Sequence, residues 1–466
     1  MKIKAGTPMY SIDFTKNMHI HFLGIGGISM SGIAELLLSR GFLVSGSDDT
    51  PSKITAHLEE LGIKVYYGLK ASNISNEVEA VVYTGAIKAD NPEYMEAVKR
   101  GLPILTRAEL LGQILHSYPE SIGISGTHGK TTTTSMISEI LLTRGVDPTI
   151  NVGGVYPRIN GNMHIGSSSY FVFEACEYTN SFLSFYPKVG VILNVFADHL
   201  DFFKNLDDIR HSFRLYAENI APDGCLVINS AIENLSYFTE ELGRKVITFG
   251  FNEQSDFRAA NIEYDEFGSG HFDLLIYGEN VGRISLKQPG EYNIANALAA
   301  AAATYFLGTP FETIKEGLSS FGGTDRRFQV KGIACGVTVI DDYAHHPDEI
   351  RAALTAAKKY PHKKIWCVFQ PHTYTRTKEL LLEFAEALTI ADEVVLAKIY
   401  PARETDTLGI SSDNIRLKME ELGKKATYIP TFEEILKFLK KNCSPGDVLI
   451  TMGAGDVVIV GENYLK

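Results

Sequence analysis

SIGISGTHGKTTTT, residues 121–134, runs from a short apolar stretch through a glycine loop into a row of hydroxyl residues. A strand that enters a helix through such a loop is the setting a phosphate loop demands. Backbone N–H groups and the helix N-terminus attract phosphate there, Lys130 reaches the β and γ oxygens, and Thr131 offers its hydroxyl to magnesium. The strict G-x-x-x-x-G-K-[ST] spacing fails, because Ile124 stands where the first glycine belongs. The competing reading, a glycine turn with an exposed lysine, explains neither the preceding strand nor the following helix. A chain with this loop is an α/β protein of nucleotide-binding type.

A second glycine loop lies a hundred residues upstream, in HFLGIGGISMSG (residues 21–32). Gly24, Gly26 and Gly27 follow a strand and open a helix, with Ser29 in place of the third glycine of G-x-G-x-x-G. Asp48 follows the next strand, about where an acidic residue meets a ribose hydroxyl. NAD and another nucleotide diphosphate both fit this pattern, and so does a purely structural tight turn.

Around these loops the chain alternates strands and helices. MHIHFLG, FLVSGSD and EAVVYTGA read as strands of a doubly wound parallel sheet; YFVFEACE, VGVILNV and GCLVINS continue a second; VTVIDDYAH, KIWCVFQP, EVVLAKIY and DVLITMGAGD form a third. Breaks at HSYPES (116–121) and FGGTDRRFQV (321–330) divide the chain into a Rossmann-like domain at 1–117, a central P-loop ATPase-like domain at 118–325 and a C-terminal Rossmann-like domain at 326–466. At roughly 100 to 200 residues per domain, 466 residues agree with three.

Composition narrows the function classes. The net charge of −12 argues against nonspecific nucleic-acid binding, which needs a broad basic face. No apolar run approaches the ~20 residues of a membrane span, and the N-terminus lacks an apolar signal region, so a cytoplasmic protein without membrane insertion is expected. The five cysteines, Cys176, Cys225, Cys335, Cys367 and Cys443, are scattered without a C-x-x-C pair, which suggests free thiols.

Candidate metal ligands stand at strand ends: Glu174 in FVFEACEY, and Asp198 and His199 in VILNVFADHLD. A carboxylate and an imidazole near phosphates suit magnesium or manganese, with Thr131 completing part of the shell. Glu177, two residues past Glu174, is equally a ligand or a solvated neighbour. In the last third, DDYAHHPDE (341–349), FQPHTYTRT (369–377) and YPARE (400–404) gather His, Arg and Tyr at strand ends, the look of a substrate face. Arg326 and Arg327 occupy the interdomain link.

GIGGISMSG, SGTHGKTTTT, EACEY, DHLD, NIANALAA, RRFQ, DDYAHHP and FQPHTYTRT occur in this order, and together they resemble the Mur ligases over nearly the whole chain, in the branch that joins L-alanine to UDP-N-acetylmuramate. The resemblance implies an ATP-dependent enzyme of peptidoglycan precursor synthesis. The first loop (Gly24, Gly26, Gly27, Ser29, Asp48) then holds the sugar nucleotide, and the second (Gly126, Thr127, His128, Gly129, Lys130, Thr131, Thr132) holds ATP. It also assigns Thr131 and Glu174 to one magnesium (or manganese) and His199 to a second, Arg327 to the nucleotide phosphates, and Asn293 and Asn296 to adenine. Asp342, Tyr343, His345, His372 and Arg376 line the alanine pocket and reacting centre. The implied partners are UDP-N-acetylmuramate and L-alanine, and the protein is a monomer or homodimer.

Two positions depart from the family pattern: Tyr292 stands where His is frequent, and Phe196 where an acid is frequent. The residues before MHIHFLG are an extension whose role the sequence does not reveal. Three other readings compete: a sister ligase adding another amino acid or peptide, an NAD-dependent dehydrogenase with an accessory ATPase domain, and a regulatory ATP-binding protein.

Overall fold

The computed structural model describes residues 10–85, 87–200, 202–402 and 404–466. The first nine residues of the N-terminal extension, Asp201 of DHLD and Arg403 of YPARE lie outside the described residues. The first sheet contains β1 (His19–Leu23), β2 (Leu43–Asp48), β3 (Lys64–Tyr67), β4 (Ala80–Tyr83) and β5 (Ile104–Thr106), all parallel in the order β3-β2-β1-β4-β5. Along β4 the apolar residues alternate between two cores, Ala80 and Val82 on one face and Val81 on the other. Both faces are therefore covered, as a parallel sheet requires. The order reverses between β1 and β4, and the first glycine loop leaves β1 at that switch point.

The second sheet contains β6 (Glu120–Ser125), β7 (Thr149–Tyr156), β8 (Gly161–His164), β9 (Tyr170–Glu174), β10 (Val189–Ile192), β11 (Cys225–Asn229) and β12 (Lys245–Gly250). They lie in the order β12-β11-β10-β6-β9-β7-β8, parallel except where β8 turns back on β7. β6, which feeds the phosphate loop, is thus interior, between β10 and β9.

Three strands that the alternating pattern did not announce come next: β13 (Phe257–Tyr264), β14 (Ser269–Ile276) and β15 (Glu279–Pro289). β14 and β15 are antiparallel, joined by the two-residue Tyr277–Gly278 turn. Steady strand–helix alternation therefore fails here.

The third sheet contains β16 (Gln329–Ala334), β17 (Val337–Asp342), β18 (Ile365–Phe369), β19 (Glu393–Leu396), β20 (Thr427–Tyr428) and β21 (Val448–Met452), in the order β16-β17-β21-β18-β19-β20. Only β16 is antiparallel to its neighbour. Ile365, Cys367 and Phe369 face one core, Trp366 and Val368 the other.

By contact density the chain forms two compact units, Met1–Phe257 with Ala299–Gly317, and Arg258–Leu298 with Leu318–Lys466. No helix among the described residues is long and apolar enough to cross a membrane.

Candidate active site

The phosphate loop forms as its sequence requires. β6 ends at Ser125, the chain turns through Gly126–Gly129, and the helix Lys130–Thr143 begins. Gly129 precedes that helix at φ 87°, a left-handed conformation that glycine adopts without steric cost. The loop is held from β10's exit: the Asn194 carboxamide accepts from His128 N at 2.8 Å and donates to His128 O at 3.0 Å. Phe196 N donates to the Thr127 hydroxyl at 2.9 Å, and the Phe196 ring stacks on His128. The position where the family favours an acid thus braces the loop through its backbone and its ring.

Lys130 folds back over its own loop. Its ammonium donates to Gly126 O, to Thr127 O at 3.1 Å and to Glu177 Oε2 at 2.9 Å. Burial works against the charge, but the Glu177 carboxylate outweighs it and holds the amine above its ordinary pKa. Lys130 is therefore a fixed cation at the mouth of the loop. Thr131 is buried in the first turn of the helix.

Glu177 is the residue the sequence left open, and it lies at the centre of this cluster. His199 Nε2 lies 3.9 Å from Glu177 Oε1 and 3.7 Å from Asp198 Oδ2, and its ring packs on Tyr178. His199 also has φ 54°, a sparsely populated backbone state. Glu174 points from the end of β9 and accepts from Gly153 N at 2.6 Å. The imidazole is therefore gathered to Glu177 and Asp198, while Glu174 is engaged by a neighbouring backbone.

At the first loop, Gly24 N and Ile25 N both donate to Ser47 O, and Gly26 N donates to Asp48 Oδ2 at 2.8 Å. Asp48, read as a ribose partner, uses one carboxylate oxygen to hold the loop itself. Gly27 caps the helix Ile28–Ser39, and the Ser29 hydroxyl in its first turn accepts from Arg107 Nη1 at 2.8 Å.

The other unit carries the remaining candidates. Asp342, at the end of β17, accepts from Phe328 N and Ala344 N, both at 2.8 Å. Burial pushes its pKa up to about 6, against the opposing pull of the Arg327 guanidinium and of those two N–H groups. Burial, and then the Asp342 charge, raise the Tyr292 phenol as well. Tyr343 lies against two cations, with the Arg326 guanidinium 4.9 Å and the Arg327 guanidinium 5.2 Å from its ring centre. His345 Nδ1 lies 3.2 Å from Glu349 Oε2, and its ring is 6.1 Å from that of His372.

His372 stacks on Tyr400, and burial, then the Arg376 charge, lower its pKa to about 4. It is a neutral imidazole near pH 7. Asn293 and Asn296 sit one turn apart on the helix Glu291–Phe306, both buried; Asn293 Nδ2 donates to Pro289 O, and Asn296 Nδ2 to Asn293 Oδ1.

Three descriptions of one family match in chain order: "Mur ligase family, catalytic domain" over residues 19–119, "Mur ligase middle domain" over 124–304 and "Mur ligase, glutamate ligase domain" over 326–455. The chain belongs to the Mur ligase family. This Mur ligase is 59% identical over 459 residues to the UDP-N-acetylmuramate--L-alanine ligase of Lachnospira eligens, a match covering 98% of this chain and 100% of that protein. It is 56% identical over 458 residues to the protein of the same name from Agathobacter rectalis, covering 98% and 100%. Its fold aligns with the crystal structure of UDP-N-acetylmuramate-alanine ligase MurC from Thermotoga maritima at TM-score 0.81 and 32% identity, covering 96% of this chain and 98% of that one.

Several residues that shape the site of this Mur ligase escaped sequence reasoning. Asn194 and Arg107 act on the loops across tertiary contacts, and nothing in their local spacing marks them. Glu349 lies within the quoted DDYAHHPDE, in the first turn of the helix Pro347–Ala357, and closes the capping box with His346 while also reaching His345. Glu404 accepts from Tyr374 N at 2.6 Å and Thr375 N at 2.9 Å, so it braces the FQPHTYTRT segment. Arg326 is bound by Asp341 Oδ2 and the carbonyls of Gly453 and Gly455, which makes it a structural tie beside Arg327.

Proposed function

We propose that this Mur ligase joins L-alanine to the carboxylate of UDP-N-acetylmuramate at the expense of ATP, in the cytoplasm, as a step of peptidoglycan precursor synthesis. The observation that carries this reading is identity above half over 98% of the chain to proteins named for that reaction. Two separate glycine loops agree with it, since the reaction uses two nucleotides, one as acid substrate and one as energy source. A dehydrogenase would leave Lys130 and Glu177 without a role.

The chemistry runs in two steps. A carboxylate is a poor acyl donor, so its oxygen first attacks the γ-phosphorus of ATP; the bond to the β,γ-bridging oxygen breaks, giving an acyl phosphate and ADP. The neutral amine of alanine then attacks the acyl carbon, and phosphate departs with one former carboxylate oxygen. Lys130 stabilises the charge shifted onto the β and γ oxygens, and the loop N–H groups hold them in line. Arg327 reaches the nucleotide phosphates, and Asn293 and Asn296 read the adenine edge. Arg376 pairs with the alanine carboxylate, in a pocket with Tyr343, His345 and His372; Asp342 stands at the reacting centre.

The donor set suits a hard divalent cation: the Thr131 hydroxyl, the Glu174 carboxylate and, at a second position, His199 beside Glu177. Magnesium, when bound, neutralises charge where two anions must meet. The division at 1–117, 118–325 and 326–466 is read as a functional one, one sheet for each substrate, in a monomer or homodimer that binds neither nucleic acid nor membrane.

Phosphate release with UDP-N-acetylmuramate and ATP, measured while the amino acid is varied, tests the assignment. L-Alanine and small relatives support strong release; comparable rates with D-glutamate contradict it.

A further inference from the structure

Arg107 is the first residue of the helix Arg107–Leu115, where the helix dipole disfavours a cation. Glu109, the acid in that turn, is committed to the capping box with Thr106. No carboxylate of the described residues pairs with the Arg107 guanidinium; its hydrogen bond goes to the uncharged Ser29 hydroxyl, in the first turn after the β1 glycine loop. Burial pulls its pKa down, with the Cys176 thiol acting in the opposite direction. A half-buried cation without a counter-charge is costly to keep, and an anionic ligand offsets that cost.

The helix position is not adjustable. A methyl group on Gly112 would come within 2.1 Å of Ser184 O, so the helix is pressed directly on the segment that follows Glu177. Arg107 is thereby held beside the first loop, with its guanidinium on Ser29.

We propose that Arg107 receives an anionic group of the sugar nucleotide, its diphosphate or its lactyl carboxylate, at the edge of the β1 loop. This inference rests on the functional reading above and adds a binding residue to it. It is tested by calorimetric binding of UDP, UDP-N-acetylglucosamine and UDP-N-acetylmuramate to the wild-type protein and to Arg107→Met and Arg107→Lys, with KM for ATP measured alongside. Arg107→Met should weaken UDP-N-acetylmuramate by about ten- to a hundredfold, the loss of one charge-assisted contact, with Arg107→Lys between the two and KM for ATP within about twofold.

Equal weakening of all three ligands assigns the diphosphate; weakening of UDP-N-acetylmuramate alone assigns the carboxylate. Unchanged affinity in Arg107→Met, or an equal rise in KM for ATP in both variants, overturns the inference while leaving the functional reading standing. Failure of the wild-type protein to bind any of the three overturns both.

Discussion

Lys130 and Glu177 form a charged pair in which each partner keeps the other tolerable in a largely dry site. Lys130→Ala should abolish turnover, with a loss of at least about a thousandfold in kcat, while sugar-nucleotide affinity stays within about twofold because the site proposed for that ligand is the other loop. It should also cost roughly 3 kcal/mol of stability by stranding Glu177, and adding Glu177→Gln should recover most of it, as urea unfolding would show. No recovery in the double variant would contradict the pairing. Asp342 supplies a second test. It holds its proton up to about pH 6 when folded and to 3.8 in its ordinary state, so its contribution to stability is complete below 3.8 and lost as the pH rises through 6. Stability of the wild-type protein minus that of Asp342→Asn should fall by roughly 3 kcal/mol between pH 4 and pH 7; a flat difference would rule the shift out. Lys130, Glu174 and Asp342 were legible because they follow apolar runs that had to be strands. Glu177's pairing was not, since it depends on how the chain bends after β9.

At the scale of elements, local pattern read the strands at the centre of each sheet and missed both the antiparallel strands and the parallel β3, β5, β7, β12 and β20. β10 and β18 are short apolar runs bounded by turn signals, the pattern of a buried strand, whereas β13 to β15 mix polar and apolar residues, and their pairing is set by partners. β16, whose residues are only partly buried, was missed for the same reason. The capping box that starts the helix Arg107–Leu115 follows the S/T-x-x-E pattern at Thr106 and Glu109, a local signal that the strand-led reading did not use. The tight seat of that helix was not, because Gly112 looks like any helical glycine until Ser184 is beside it. Gly112→Val should therefore destabilise by about 3 kcal/mol or more, against about 1 kcal/mol gained or lost for an exposed helical glycine. Urea unfolding measures it, and a change under about 1 kcal/mol would show that the helix can shift.

For the whole molecule, the sequence delivered the α/β class, the three sheets and both loops, because each sheet announces itself in its own apolar runs. Which nucleotide each loop holds is not decided by spacing, since G-x-G loops serve NAD and sugar nucleotides alike; the assignment proposed above follows the family resemblance. In the proposed reaction, ATP's γ-phosphoryl group passes to the sugar acid before the amine arrives. Oxygen-18 placed in the carboxylate of UDP-N-acetylmuramate follows that transfer directly. Mass spectrometry of the phosphate released during turnover with L-alanine should find one labelled oxygen in each; phosphate without label would contradict the acyl-phosphate route.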